Sequence, residues 1–356
     1  MNIYYLNLAQ PHTGLCNQLF SLCSTIIYCI KNKIKYILVD KFLREIHTSN
    51  YIYVNAIFNL EKLNNLLKPY NVIVVDSLLQ NFKIKKVIYG TVDCNIEITD
   101  TFNYLFFKDN TIKISCKDNL TDLFNANPIP FTRKHIVVYL EPDYNIILSE
   151  KNGYFPQDIN INLNHLISYN NFERAPTWDL LGQNRDLTDF LFKNITFTES
   201  FINTKNVFLN NLMPYNTINV IHLRVENDAI IFWSKSNSMS FNDFYNNLSN
   251  TYIDLIKTYI VDKNDLTVIL SYNTNNRVTE YLRENKYNYT FIEKNKSNNR
   301  EENAITDLLI GMECKNTFIG VKGSSFTEVL SRAIKNNTSI FININNILES
   351  PIVIHS

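Results

Sequence analysis

Ile218-Asn219-Val220-Ile221-His222-Leu223-Arg224 is the stretch whose reading decides the fold. It is a short β-branched run of the kind that a buried strand needs, and it leaves the core through a His and an Arg. Working outward, residues 266–270 form a second such run, followed by a helical pattern over 277–284. Residues 289–292 predict a third strand. Residues 301–314 predict a helix whose apolar face carries Ala304, Leu308, Ile310 and Met312. A strand over 317–319 ends at Gly320, a helix follows over 326–333, and a strand over 339–342 closes the series. Strands alternating with helices at this spacing imply βαβ units and a parallel sheet covered on both faces.

The beginning of the chain repeats the pattern. Residues 3–8 predict a strand and 17–31 a helix, with Leu19, Leu22, Cys23, Ile26, Ile27 and Ile30 along its buried side. Residues 36–40 complete one βαβ unit, with 11–16 as its loop, and 71–76 add another strand. From about 95 to 200 aromatic and Asn-rich segments carry no clear period, and 210–216, with Met213-Pro214, reads as a connector. The expectation is an α/β protein of two Rossmann-like domains, 1–208 and 209–356, with a cleft between them. In such sheets ligands bind beyond the carboxyl ends of the strands.

Composition excludes several alternatives. A chain of 356 residues with 45% hydrophobic and 19% charged side chains buries a sizeable core and is not disordered. Its 34 basic residues are balanced by 34 acidic ones, which argues against a nucleic-acid partner. The longest apolar stretch, 19–30, is interrupted by Ser21, Ser24 and Thr25 and is shorter than the ~20 residues of a spanning helix. Met1-Asn2-Ile3-Tyr4-Tyr5 lacks the basic and apolar regions of a secretory signal, so a cytoplasmic location is expected. The six cysteines form no CxxC pair and the six histidines are isolated, so neither a zinc site nor a disulfide framework is expected.

Three loops hold the chemistry. In Thr13-Gly14-Leu15-Cys16-Asn17-Gln18-Leu19-Phe20, Gly14 permits a tight turn and the following helix offers free N–H groups to an anion; Asn17 is equally suited to cap that helix. In His222-Leu223-Arg224-Val225-Glu226-Asn227-Asp228, Arg224 offers a fork to phosphate oxygens or pairs with Glu226 or Asp228, while His222 suits either a pocket or the core. In Gly320-Val321-Lys322-Gly323-Ser324-Ser325-Phe326-Thr327, the hydroxyls and N–H groups at a helix start suit a diphosphate, or a serine simply caps the helix. Neither GxxxxGK[ST] nor GxGxxG is present.

Together the loops resemble the GDP-fucose-dependent fucosyltransferase superfamily, which groups protein O-fucosyltransferases with α1,2- and α1,6-fucosyltransferases. Gly14-Leu15-Cys16-Asn17-Gln18-Leu19-Phe20 is similar to the GGLGNQMF of the α1,2 family, with Thr13 and Cys16 in place of two glycines. His222-Leu223-Arg224 with Glu226 and Asp228 is similar to HLRxExD. Ala304 to Asp307, Phe318-Ile319-Gly320 and Ser324-Ser325-Phe326-Thr327 resemble the Axx[D]…FIG…SSF[ST] region. The likeness spans the first loop and most of 217–335 and leaves about 45–200 uncovered.

The resemblance implies a GT-B fold, with the acceptor on the first domain and the GDP-sugar on the second. It implies an inverting transfer of L-fucose to a hydroxyl of a glycan or protein acceptor, with no metal and no cofactor besides the donor. By position, Arg224 would contact the β-phosphate. Ser324, Ser325 and Thr327 would hold the diphosphate, with Phe326 packing nearby. Asp307 would accept from guanine N1–H and N2–H, His222 would line the nucleotide pocket, and Gly14 and Asn17 would approach the donor. Glu226 is the candidate base, with Asp228 beside it. Another GDP-deoxyhexose as donor, or a binding module without turnover, are the alternatives.

Overall fold

The computed structural model describes residues 3–6, 14–31, 33–39, 42–44, 51–76, 84–89, 95–97, 104–108, 111–115, 135–140, 145–148, 159–162, 166–170, 182–212, 215, 217–294, 298–334, 338–344 and 346–355. The chain divides into two compact units, Met1–Thr198 and Glu199–Ser356.

The first unit is built on a seven-stranded sheet. Its strands are β1 (Ile3–Leu6), β2 (Tyr36–Val39), β3 (Ile73–Asp76), β4 (Ile84–Tyr89), β5 (Asn95–Glu97), β6 (His135–Leu140) and β7 (Leu166–Asn170). They lie in the order β3-β2-β1-β7-β6-β4-β5. The first four are mutually parallel, as the βαβ reading predicts. From β7 onward the pairing is antiparallel, a change of strand direction that the sequence does not announce. Two further hairpins, Tyr104–Lys108 with Thr111–Ser115 and Asn145–Leu148 with Ile159–Asn162, fill the aperiodic middle of the chain.

Three helices complete this unit: α1 (Leu15–Lys31), α2 (Leu60–Leu67) and α3 (Arg185–Asn194). Helix α1 buries Leu19, Leu22, Cys23, Ile26 and Ile27, and Phe20 packs on Phe192 of α3 with ring centroids 5.7 Å apart. Burial pushes the thiols of Cys23 and Cys29 up, which leaves them as inert apolar packing. The edge strand β3 is closed off by a side chain. Asn64 of α2 donates to the Val74 carbonyl at 2.9 Å and accepts from the Val74 N–H at 2.8 Å, taking the place of a neighbouring strand. The strand end at 7–8, Asp40, loop residues 11–13 with Thr13, and Met213-Pro214 lie outside the described residues.

In the second unit the elements are α4 (Glu199–Asn210), β8 (Ile218–His222), α5 (Asn227–Ser236), α6 (Phe241–Tyr259), β9 (Leu266–Leu270), α7 (Arg277–Glu284), β10 (Tyr289–Phe291), α8 (Arg300–Gly311), β11 (Thr317–Lys322), α9 (Ser325–Ala333), β12 (Thr338–Asn343) and β13 (Ile352–His355). The sheet runs β10-β9-β8-β11-β12-β13 and is parallel except for the last strand. Every residue of β8 and β9 is buried, as a strand covered on both faces requires. Ile221, Ile269, Ile319 and Ile340 from four strands meet Phe244, Leu248, Tyr252 and Ile256 of α6 in one core.

Two corrections to the expected layout follow. Helix α4 belongs to the second unit, so the division falls between Thr198 and Glu199 instead of 208/209. The helix packs on α8, and Lys205 pairs with Glu313 at 2.9 Å just past it. Helices α5 and α6 and strand β13 also add elements that the sequence reading does not contain.

The strand order places the topological switch between β8 and β11, whose Val220↔Phe318 and Ile221↔Ile319 pairs are neighbours. Loops leaving these two strands therefore open at one edge of the sheet, where α/β proteins hold ligands. Close packing beneath the switch depends on glycine. A Cβ at Gly320 would lie 2.6 Å from Thr327 Cγ2, and one at Gly311 would lie 2.8 Å from Leu330 Cδ2.

Candidate functional site

The exit of β8 is held rigidly before any ligand is considered. Tyr252 of α6 is fully buried; its hydroxyl donates to the His222 carbonyl at 2.7 Å and accepts from the Arg224 N–H at 3.3 Å. The Leu223 N–H continues the ladder to the Leu270 carbonyl at 3.1 Å. The backbone carrying Arg224 is thus tied to two elements, and Tyr252, which the sequence reading misses, does the tying.

Arg224 is paired with both carboxylates that follow it. Its guanidinium donates to Glu226 Oε2 at 2.7 Å, and to Asp228 at 3.3 Å and 2.9 Å. Burial alone would lower the pKa of Arg224, but the two carboxylates hold it above its ordinary value. Asp228 is more open. Partial burial pushes its carboxyl up, and the hydrogen bonds and charge of Arg224 more than reverse this. Glu226 stands at the N-cap position of α5 yet caps nothing with its side chain. Its second oxygen accepts from Ser271 Oγ and the Tyr272 N–H, both at 3.3 Å. Glu226 thereby ties Arg224 to the loop that leaves β9.

His222 is buried, with Nδ1 2.7 Å from Thr327 Oγ1 and its ring 4.7 Å from that of Phe326. Burial, then the charges of Arg224 and Lys294, push the imidazole down to about 3, so it is neutral at neutral pH. Thr327 Oγ1 also accepts from the Val321 N–H at 3.2 Å. In this arrangement the Thr327 hydroxyl contacts His222 and the Val321 N–H and so positions the imidazole. The loop before it turns tightly into α9. Gly323 takes φ +92°, Ser324 stands at the N-cap position of α9, and its side chain makes no cap bond. Ser324 is therefore not the capping serine, and the first-turn N–H groups of Ser325 and Phe326 face outward from the helix start.

Asp307 of α8 is buried, 6% exposed, and both its oxygens accept from Lys294 Nζ just beyond β10. Burial pushes its carboxyl up, Lys294 pulls it down, and Glu226 adds to the rise; the net direction is upward. Lys294 Nζ also lies 4.9 Å from the ring centroid of Tyr272, and the Arg300 guanidinium lies 5.8 Å from it. The Tyr272 hydroxyl donates to the Arg300 carbonyl at 2.9 Å. Asp307, Arg224, His222, Glu226 and Asp228 thus share one electrostatic cluster at the strand ends. Lys294, Ser271 and Tyr272 are members that no motif points to.

Gly14 and Asn17 belong to the first unit. Gly14 accepts from the Gln18 N–H at 3.1 Å, so Gly14 and not Asn17 stands at the N-cap of α1, which starts at Leu15. Asn17 lies in the first turn, where its carbonyl accepts from Ser21 Oγ at 3.1 Å. No described helix is long and apolar enough to cross a membrane. Among the described residues no group of three or more His, Cys, Asp or Glu is placed to hold a metal ion.

No family model matches the chain, and no curated protein sequence matches it. Solved structures do. NodZ α-1,6-fucosyltransferase soaked with GDP-fucose is 11% identical, with 99% of each chain covered and a TM-score of 0.46. POFUT1 in complex with GDP is 10% identical, with 96% of this chain and 97% of that one covered and a TM-score of 0.49. Fucosyltransferase NodZ from Bradyrhizobium is 11% identical, with 100% and 99% covered and a TM-score of 0.46.

Proposed function

We propose that this chain is a GT-B glycosyltransferase that transfers L-fucose from GDP-fucose to a hydroxyl of a glycan or protein acceptor, with inversion and without a metal. The observation that carries this is the convergence at one sheet edge of Arg224, the uncapped start of α9 and the buried Asp307. These are a cation for a phosphate, N–H donors for a second phosphate, and an acceptor for a donor–donor base edge. They occur on the HLRxExD-like and SSF[ST]-like segments that resemble this superfamily.

In the reaction the acceptor oxygen bonds to C1 of fucose as the bond from C1 to the β-phosphate oxygen breaks. The electron pair leaves with GDP and the hydroxyl proton passes to solvent or a base. Most of the rate comes from stabilising the leaving diphosphate, through Arg224 and the N–H groups of Ser325 and Phe326. Glu226 and Asp228 aim the guanidinium, and His222, positioned by Thr327 and kept neutral by burial, lines the site without adding charge.

The test is release of GDP and labelled fucose transfer from GDP-fucose in excess EDTA. Metal-free transfer that collapses in Arg224→Ala supports the assignment, and wild-type turnover in that variant removes the phosphate role. A binding module without turnover is the second reading. It is favoured by the engagement of Glu226, the candidate base, with three donors from its own unit. Stoichiometric donor binding with no fucose released to any acceptor or to water would select it.

A further inference from the structure

We propose that Lys294 is a built-in competitor for the nucleobase at Asp307, and that it makes the pocket selective for guanine. This rests on the reading of Asp307 as the guanine acceptor and adds a residue to it. One ammonium takes both oxygens of a carboxylate that is only 6% exposed. The same two oxygens are needed by a base that presents two adjacent N–H donors, so Lys294 and such a base exclude one another.

The energetics favour exchange over vacancy. A buried carboxylate stripped of its partner is strongly disfavoured, so a ligand displaces Lys294 only if it replaces the lost donors. Guanine, with N1–H and N2–H side by side, does so. Adenine and cytosine each present one donor beside one acceptor, and uracil one donor between two acceptors, so each would set an acceptor lone pair against the carboxylate. Lys294 also has somewhere to go. It is 24% exposed and lies over the face of Tyr272, a ring anchored through its hydroxyl to the Arg300 carbonyl and through its N–H to Glu226. A partly open aromatic face retains a displaced ammonium near the site.

Calorimetry on Lys294→Met, Asp307→Asn and the wild type separates the possibilities. In Lys294→Met, GDP is expected to bind about tenfold more tightly, because no ammonium has to be displaced. GDP binding weakened or unchanged in this variant would overturn the competition. Asp307→Asn presents an acceptor beside a donor, which matches the N1–H and O2 of xanthine. It should lose GDP and gain xanthosine diphosphate. If Asp307→Asn leaves GDP binding unchanged, the guanine reading of Asp307 fails by itself. A gain of xanthosine diphosphate with Lys294→Met no tighter for GDP than the wild type would keep that reading and discard the competitor.

Lys294→Met leaves a buried carboxylate and could fold poorly, so a second measurement uses the unaltered chain. Acetylation of Lys294 by a small acylating reagent, read by mass spectrometry, should rise when GDP is added, because the ammonium is released. Protection by GDP would mean that Lys294 stays within the site and assists binding, and would overturn the competition.

Discussion

The two sheets start alike and diverge, and their difference bears on where the proposed site lies. In the second unit five of the six strands run parallel, so the loops leaving β8, β9, β10 and β11 open at one edge. That edge collects Arg224, Glu226, Tyr272, Lys294 and Ser324 without help from distant segments. In the first unit β6, β4 and β5 alternate in direction, which sends successive loops to opposite edges. There the Gly14–Asn17 turn, following a parallel strand, is the one polar loop that the sequence singles out.

The sharpest way to break this contrast is to remove one side chain from each unit. Arg224→Ala should lower fucose transfer roughly 10²–10³-fold, the cost of losing one donor to a developing anion. Asn17→Ala should cost less than about tenfold, the rough worth of one neutral hydrogen bond. An Asn17 effect as large as that of Arg224 would move the centre of the chemistry toward the first unit. Initial rates at saturating GDP-fucose decide between them.

Packing offers a second contrast. Gly320→Ala should destabilise the second unit by about 3 kcal/mol, since its Cβ would meet Thr327 Cγ2 at 2.6 Å and Oγ1 at 2.9 Å. At Gly182 in the first unit no atom of the described residues beyond its chain neighbours lies within 4 Å of the same position. Gly182→Ala should be neutral or slightly stabilising, by less than about 1 kcal/mol. Urea unfolding of both variants measures the difference.

Acid sharpens it further. His222 is pushed down to about 3 in the folded chain, so the unfolded chain takes up the proton first. Stability that is present above the ordinary histidine pKa is therefore lost as the pH falls below about 6.5 and continues to fall toward 3. At pH 5 the penalty is about 2 kcal/mol, and His222→Gln should lack it. Equal acid sensitivity in both proteins would deny that His222 is buried and neutral. A modest effect is expected of Tyr252→Phe. Losing the hydroxyl that joins His222 and Arg224 should cost about 1 kcal/mol of stability and reduce the transfer rate with little change in donor binding.

Where the sequence was legible, the physics was local. Strand β9 and helix α7 match their expected bounds, because a β-branched run and an Asn276 cap accepting from Val278 and Thr279 N–H are written in adjacent residues. Helix α1 starts at Leu15 because Gly14 caps it with its carbonyl alone, which leaves no side-chain signal. Helix α5 escapes because Ile231 and Phe232 are exposed beside buried Ala229 and Ile230, which erases the apolar stripe. Helix α6 did carry a stripe, Phe244, Leu248, Tyr252 and Ile256, behind a Ser240 cap that accepts from the Asp243 N–H at 3.1 Å.

The site divides in the same way. The pairing of Arg224 with Glu226 and Asp228 was visible because all three lie within one turn of chain. The partner of Asp307 was not, because Lys294 reaches it across a loop with no period or motif to mark it. Thr327 was visible as a hydroxyl at a helix start. Its engagement with His222 depends on the β8–β11 neighbourhood, which only the folded sheet creates.

Titration calorimetry of GDP-fucose, GDP and UDP into the purified chain, with and without Mg²⁺, tests the assignment of the β8–β11 edge most directly. The expected result is micromolar GDP-fucose and GDP binding that is indifferent to Mg²⁺, with no heat from UDP. Silence for all three from a folded sample, or UDP binding as tight as GDP, would contradict it.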